Sequence, residues 1–206
     1  DGASGQRQLT MALSGVALLF GIFGQHGKTQ EIYSHRSFFG VHRVQLDPAT
    51  DTTLLVHGNT VHGAQSRKEG LRREPLGYYG RKGPLGQIFG AEGHRFQRVG
   101  VVGLGAASIA CYATEGRAWT FFEIDAAIVE TAQSRFSYLS ECAPEARIVL
   151  GDGRLLLAHE PVGGFDLLII DAFSSDAVPV HLMTREAIEL YMSKLSPQGL
   201  LLIHIS

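Results

Sequence analysis

Hydrophobic and polar positions change rhythm near the middle of this 206-residue chain. From Glu31 to about Gln65 the pattern is β-like, with Phe38, Phe39, Val41, Val44 and Leu46 at positions consistent with strands. Within it, the stretch from Leu54 to Gly63 sets a Gly-Asn turn between β-rich flanks, which predicts a hairpin. Ser66 to Pro84 is charged and rich in Gly and Pro, so it reads as a connector. From Val99 onward strands and helices alternate. Val99–Val102, Ala118–Phe122, Ala146–Leu150, Phe165–Ile170 and Leu200–Ile205 are strand candidates. Between them, Ile128, Val129, Ala132, Phe136 and Leu139 share one helical face, as do Ala187, Ile188, Tyr191, Met192 and Leu195. Thr184 is placed to cap the last helix, with Glu186 at its positive end. Strand–helix alternation with near-continuous apolar strands predicts an α/β fold, a doubly wound parallel sheet covered on both faces. The expected organisation is an apolar N-terminal segment over residues 1–30, a β-hairpin region and connector over 31–84, and the parallel-sheet domain over 85–206.

Two stretches at the ends complicate this picture. Met11 to Phe23 is apolar but too short to span a bilayer, and it carries no cleavage signature. It reads as a core helix or as the last part of a membrane helix. Gly199 to Ser206 reads as a strand that stops where the chain stops. The chain is therefore expected to be a piece of a larger protein, cytoplasmic or the cytoplasmic domain of a membrane protein.

The formal charge of −2 gives no global basic field, so a nucleic-acid partner is not expected. Cys111 and Cys142 have no CxxC partner and are expected to be reduced thiols, as in a cytoplasmic setting. His57 and His62 lack HExxH or similar spacing, so no metal site is expected.

The chemistry-bearing residues gather at predicted strand ends, where open α/β sheets place ligands. Gly103-Leu-Gly105 follows the first strand of the sheet, and Glu123 ends the second. Small residues let a ligand approach the backbone, and an acid at that spacing accepts hydrogen bonds from both ribose hydroxyls, so the two predict a nucleoside site. Ser108 stands where a dinucleotide fingerprint has Gly or Ala, which argues against a nicotinamide cofactor. Asp152-Gly153 follows the third strand, where the carboxylate is placed to accept an adenine amine. Asp171-Ala-Phe-Ser-Ser-Asp176 follows the buried run Phe165–Ile170, and an acid pair at that mouth suits a cationic substrate or a proton to be removed from one. Tyr78-Tyr79, in the connector, is placed to wall the pocket or to pack.

In their order, Val-Gly-Leu-Gly, Phe-Glu123-Ile-Asp125, Gly-Asp152-Gly153 and Asp171-x-x-Ser-Ser-Asp176 resemble the spermidine synthases, the polyamine aminopropyltransferases. The likeness runs from about Glu31 to Ser206. It is nearest to the spermidine-synthase-like domains fused behind membrane helices in some bacterial proteins. The resemblance implies a Rossmann-like sheet of the type used by S-adenosylmethionine-dependent methyltransferases. It implies decarboxylated S-adenosylmethionine as co-substrate, or S-adenosylmethionine itself, with no metal, and a polyamine or other small amine as acceptor. Fusion to membrane helices and a homodimer are compatible with it. Gly103 and Gly105 would line the nucleoside, Glu123 would hold the ribose, and Asp152 and Gly153 the adenine. Asp171 would accept the proton, Asp176 would hold the amine, and Tyr79 would border the substrate. Three features depart from the family. Spermidine synthases have Gly-Gly-Gly-Asp-Gly where this chain has Gly103-Leu-Gly-Ala106-Ala107, Tyr79 is followed by Gly80-Arg81 rather than Gln/His-Glu, and the acid loop is two residues longer. The function expected is aminopropyl transfer with an aspartate base. The alternatives are a methyltransferase on the same fold and a non-catalytic domain that senses nucleosides or polyamines.

Overall fold

The structure, a computed structural model, describes residues 29–172 and 179–203. The apolar segment Met11–Phe23 and the acid Asp176 lie outside the described residues. The chain first forms a four-stranded antiparallel meander of β1 (Gln30–Ser37), β2 (Gly40–Asp47), β3 (Thr52–His57) and β4 (Thr60–Ser66). The predicted Gly-Asn hairpin is the β3–β4 turn, with His57 facing Thr60 across it, and β1–β2 is a second hairpin.

The connector carries a 3-10 turn at Gly77–Tyr79 and leads into helix α1 (Pro84–Glu92). Then comes the parallel sheet: β5 (Arg98–Val102), β6 (Ala118–Glu123), β7 (Arg147–Leu150), β8 (Phe165–Ile170) and β9 (Leu195–Ile203), in spatial order β7-β6-β5-β8-β9. Its helices are α2 (Ala126–Arg135), α3 (Tyr138–Cys142), α4 (Gly153–His159) and α5 (Arg185–Lys194). The predicted α/β fold with a Rossmann-like parallel sheet is thus observed.

Alternate residues of the sheet feed two cores. Val99, Val101, Trp119, Phe121, Leu167 and Ile169 face one side with Ile109, Ala132 and Tyr138, while Val102, Phe122, Leu168 and Ile170 face the other with Leu157, Ala187 and Tyr191. Such two-sided burial is why these strands read as continuous apolar runs. The meander packs on the first of these cores through Val44 and Leu55. The contact is close: a Cβ on Gly63 would lie 2.3 Å from that of Ala106, so only glycine fits at that point of β4.

Four sequence expectations are corrected. Phe38 and Phe39, expected in strands, form the β1–β2 turn. The helical face from Ile128 to Leu139 is two helices, because Phe136 is extended at φ −125° and ψ 154°. Gln65 of β4 accounts for the break: its Oε1 accepts the Ser137 N–H at 3.0 Å and its amide donates to Ser137 Oγ at 2.8 Å, drawing the chain out of the helix. Leu195, expected on the face of α5, opens β9 instead. Finally, Cys111 and Cys142 are not reduced thiols but a disulfide. The 3-10 turn Ser108–Tyr112 packs against α3 and brings the two Cα atoms to 4.8 Å, a proximity that a separation of 31 residues conceals. With it goes the argument for a cytoplasmic setting. Among the described residues no helix is long and apolar enough to cross a membrane.

Candidate active site

The order of the sheet reverses between β5 and β8, both of which run parallel from the same edge, and a cavity of about 370 Å³ opens at their carboxyl ends. Gly103 leaves β5 there at φ +101°, with its N–H donating to the Phe122 carbonyl at 2.8 Å. A Cβ at Gly103 would lie 2.2 Å from the Asp171 carbonyl oxygen, so the close approach of the two strand ends requires glycine. Gly103, Gly105, Glu123, Asp152, Gly153, Asp171 and Tyr79 all border this one cavity. The structure therefore gathers every described residue singled out from the sequence.

Glu123 ends β6 and is 7% exposed. Its Oε2 accepts the Leu104 N–H and its Oε1 the Asp125 N–H, each at 2.9 Å. Burial pushes the carboxyl above its usual range, and the backbone bonds oppose that shift. The result is a carboxylate fixed in orientation beside the glycine turn, with lone pairs left for hydroxyl donors.

Asp152 caps α4, its Oδ1 accepting the Leu155 N–H at 3.0 Å, while Oδ2 lies 3.1 Å from His181 Nε2. Gly153 lies against Val102, where a Cβ would approach Cγ1 to 2.5 Å. The Asp-Gly pair thus serves the helix start as well as bordering the cavity.

Asp171 follows β8 directly, its N–H bonded to the Val102 carbonyl at 2.8 Å. The Tyr79 hydroxyl donates to Asp171 Oδ2, and the Tyr78 hydroxyl donates to that of Tyr79 at 2.8 Å. Burial first, then the Asp171 charge, drives the Tyr79 phenol well above its usual range, so it remains a donor. The connector that carries this pair is clamped by Tyr112, whose hydroxyl donates to the Tyr79 carbonyl at 2.5 Å.

Sequence reasoning missed the wall contributed by the meander. His42, His57 and His62 border the cavity together with Phe39. The His42 and His57 rings, cross-strand partners, have centroids 4.6 Å apart, and those of His57 and His62 are 5.8 Å apart. Asp125 joins this wall to the sheet: its Oδ2 lies 2.9 Å from His42 Nε2 and accepts the Ser37 hydroxyl at 2.5 Å, and its Oδ1 caps α2 through the Ala127 N–H. Burial would raise the Asp125 carboxyl, yet the Ser37, Ala127 and His42 bonds together hold it below the usual range. The repeated His-Gly spacing at His57 and His62 was the available signal. Among the described residues no cluster of three or more His, Cys, Asp and Glu is arranged to hold a metal.

This fold, a Rossmann-like sheet behind an antiparallel meander, is shared by solved spermidine synthases. The chain superposes on a probable spermidine synthase from Corynebacterium glutamicum with TM-score 0.65 at 21% identity, over 83% of this chain and 62% of that one. It superposes on the Thermotoga maritima spermidine synthase with TM-score 0.62 at 20% identity, over 84% and 56%. A spermidine synthase solved with the transition-state analogue AdoDATO gives TM-score 0.63 at 19% identity, over 84% and 57%.

In sequence, the chain is 28% identical over 110 residues to the polyamine aminopropyltransferase of Vibrio vulnificus (strain CMCP6), covering 51% of this chain and 36% of that protein. No protein-family model matches it. The chain is similar in fold to spermidine synthases and, along the aligned stretch, in sequence to a polyamine aminopropyltransferase, while spanning less than two thirds of each of these relatives.

Proposed function

We propose that this domain binds an S-adenosyl-type nucleoside and transfers the aminopropyl group of decarboxylated S-adenosylmethionine to a small amine such as putrescine. The observation that carries this reading is the convergence of Glu123 and Asp171 on one cavity, on either side of the Gly103 turn. Glu123 would accept both ribose hydroxyls, and Gly103 and Gly105 let the nucleoside lie against the backbone. Asp152 and Gly153 would border the adenine.

An alkyl amine is protonated at neutral pH, with a pKa of about 10, and has no lone pair to attack with. Asp171 takes that proton. The freed amine attacks the carbon beside the sulfonium, the N–C bond forms, and the C–S bond breaks with its electron pair moving to sulfur. Neutral methylthioadenosine leaves. Much of the acceleration comes from holding the two reactants in line. Asp176 would orient the cationic acceptor.

One observation favours a second reading, methyl transfer from S-adenosylmethionine. Ala106, standing where the family has an acid, is 1% exposed and packed on Gly63, and the described lining residues of the meander include three histidines and no acid. The described residues of that wall set no like charge against a co-substrate that keeps its carboxylate.

Incubation of the protein with putrescine and either decarboxylated S-adenosylmethionine labelled in the aminopropyl group or methyl-labelled S-adenosylmethionine separates the two. Labelled spermidine is the expected product. Label found only in a methylated product would replace this reading with the second, and nucleoside binding without turnover of either would make the domain a sensor.

A further inference from the structure

Tyr78 and Tyr79 are consecutive, and in an extended segment their side chains would point to opposite sides. The 3-10 turn Gly77–Tyr79 instead sets both rings on the cavity, with centroids 4.1 Å apart. Their hydroxyls are linked in series: Tyr78 donates to Tyr79 at 2.8 Å, and Tyr79 donates to Asp171 Oδ2. A phenol has one proton. With that proton given to Asp171, the Tyr79 oxygen is left to accept, and Tyr78 supplies the donor.

Burial holds both phenols above their usual range, so at neutral pH each keeps the proton that the series requires. Tyr79 is 5% exposed and its backbone is held by Tyr112, so the middle member has little freedom to turn away. The series therefore runs from a half-buried hydroxyl at the cavity wall to the acid at the end of β8.

We propose that Tyr78 is a positioning residue for Asp171, acting through Tyr79 to fix the carboxylate at the cavity mouth. Hydrogen bonds in series polarise one another, so loss of the outer donor weakens the inner bond even though the residue that makes it is unchanged. The kinetic consequence rests on the reading of Asp171 as the base, whereas the geometric one does not.

The full chain tests both. A phenol proton held on a carboxylate resonates far downfield, and the Tyr79 proton is assigned by its loss in Tyr79→Phe. In Tyr78→Phe that resonance is expected to move upfield. In the same variant the rate of amine transfer should fall about 3–10-fold, with unchanged affinity for methylthioadenosine. Tyr79→Phe should cost more, and the double variant little more than Tyr79→Phe alone, since the hydroxyl series from Tyr78 reaches Asp171 through Tyr79.

An unmoved resonance in Tyr78→Phe overturns the proposal, and so does a double variant whose losses add. Full turnover in Asp171→Asn, found together with the expected resonance shift in Tyr78→Phe, would remove the base assignment while supporting the hydroxyl series.

Discussion

As a ribose acceptor in the proposed function, Glu123 has to stay charged where burial resists charge. Its carboxylate is shielded from water and compensated by two backbone N–H groups, an arrangement that leaves it raised above the ordinary carboxyl range yet fixed in direction. A bound ribose would add two donors to the same oxygens. Glu123→Ala should therefore weaken methylthioadenosine binding by about 2–4 kcal/mol, read by titration calorimetry. The pH dependence has a definite sign. Binding needs the carboxylate, and the free group takes up its proton at a higher pH than an ordinary glutamate, near 4.3. Affinity should consequently begin to fall while the pH is still above that value, and a flat affinity down to it would refute the assignment. At Asp171 the effect should fall on rate rather than binding. Asp171→Asn keeps the shape and removes the basicity, so turnover should drop about 10²–10⁴-fold in steady-state assays while nucleoside affinity changes little.

Asp125 joins elements that lie far apart in the chain. It caps α2 with one oxygen and receives Ser37 from β1 and His42 from β2 with the other, so one side chain ties the meander to the parallel sheet. His42 is 5% exposed and would be left without this partner on truncation. Asp125→Ala should cost about 2–3 kcal/mol in urea unfolding, the sum of a lost cap and a buried polar group left unpaired. Because the folded Asp125 carboxyl lies below its unfolded value, its contribution is fully present above about pH 3.9 and is lost as pH falls through the folded value. Acid unfolding of the wild type should therefore be steeper over that window than that of the variant. The same logic of one side chain redirecting a segment explains why the helix predicted through Leu139 is cut at Phe136: Gln65 offers Ser137 hydrogen bonds that continuing the helix would forgo.

Over the whole molecule, the disulfide between Cys111 and Cys142 closes a stretch of 31 residues that includes β6 and α2. By loop-closure entropy such a link stabilises by roughly 2–4 kcal/mol. Reduction, or replacement of both cysteines by alanine, should lower the Tm by about 5–10 °C, measured by calorimetry with and without reductant. A Tm indifferent to reductant would show that the bond contributes nothing to the folded state. The staple matters for the site because the turn that carries Cys111 also carries Tyr112, which holds the Tyr79 backbone beside Asp171.

The parallel sheet was legible from the sequence because its strands are buried on both faces, and burial of that kind writes itself as unbroken apolar runs such as Phe165–Ile170. The positions of Gly103, Glu123, Asp152 and Asp171 were legible for a related reason. Each ends a strand or follows one within two residues, and parallel strands bring their carboxyl ends to one side whatever the loops between them do. What the sequence could not disclose depends on contacts between distant segments. The His42–Asp125 link spans 83 residues, Tyr79–Asp171 spans 92, and the two cysteines meet across 31. No local pattern encodes such pairings, since each arises only when the meander and the connector fold back over the sheet. The chain by itself determined the elements and the edge of the sheet where chemistry gathers. Tertiary packing alone decided which side chains stand beside Asp171 and Glu123, because it is packing that supplies their partners and excludes their water.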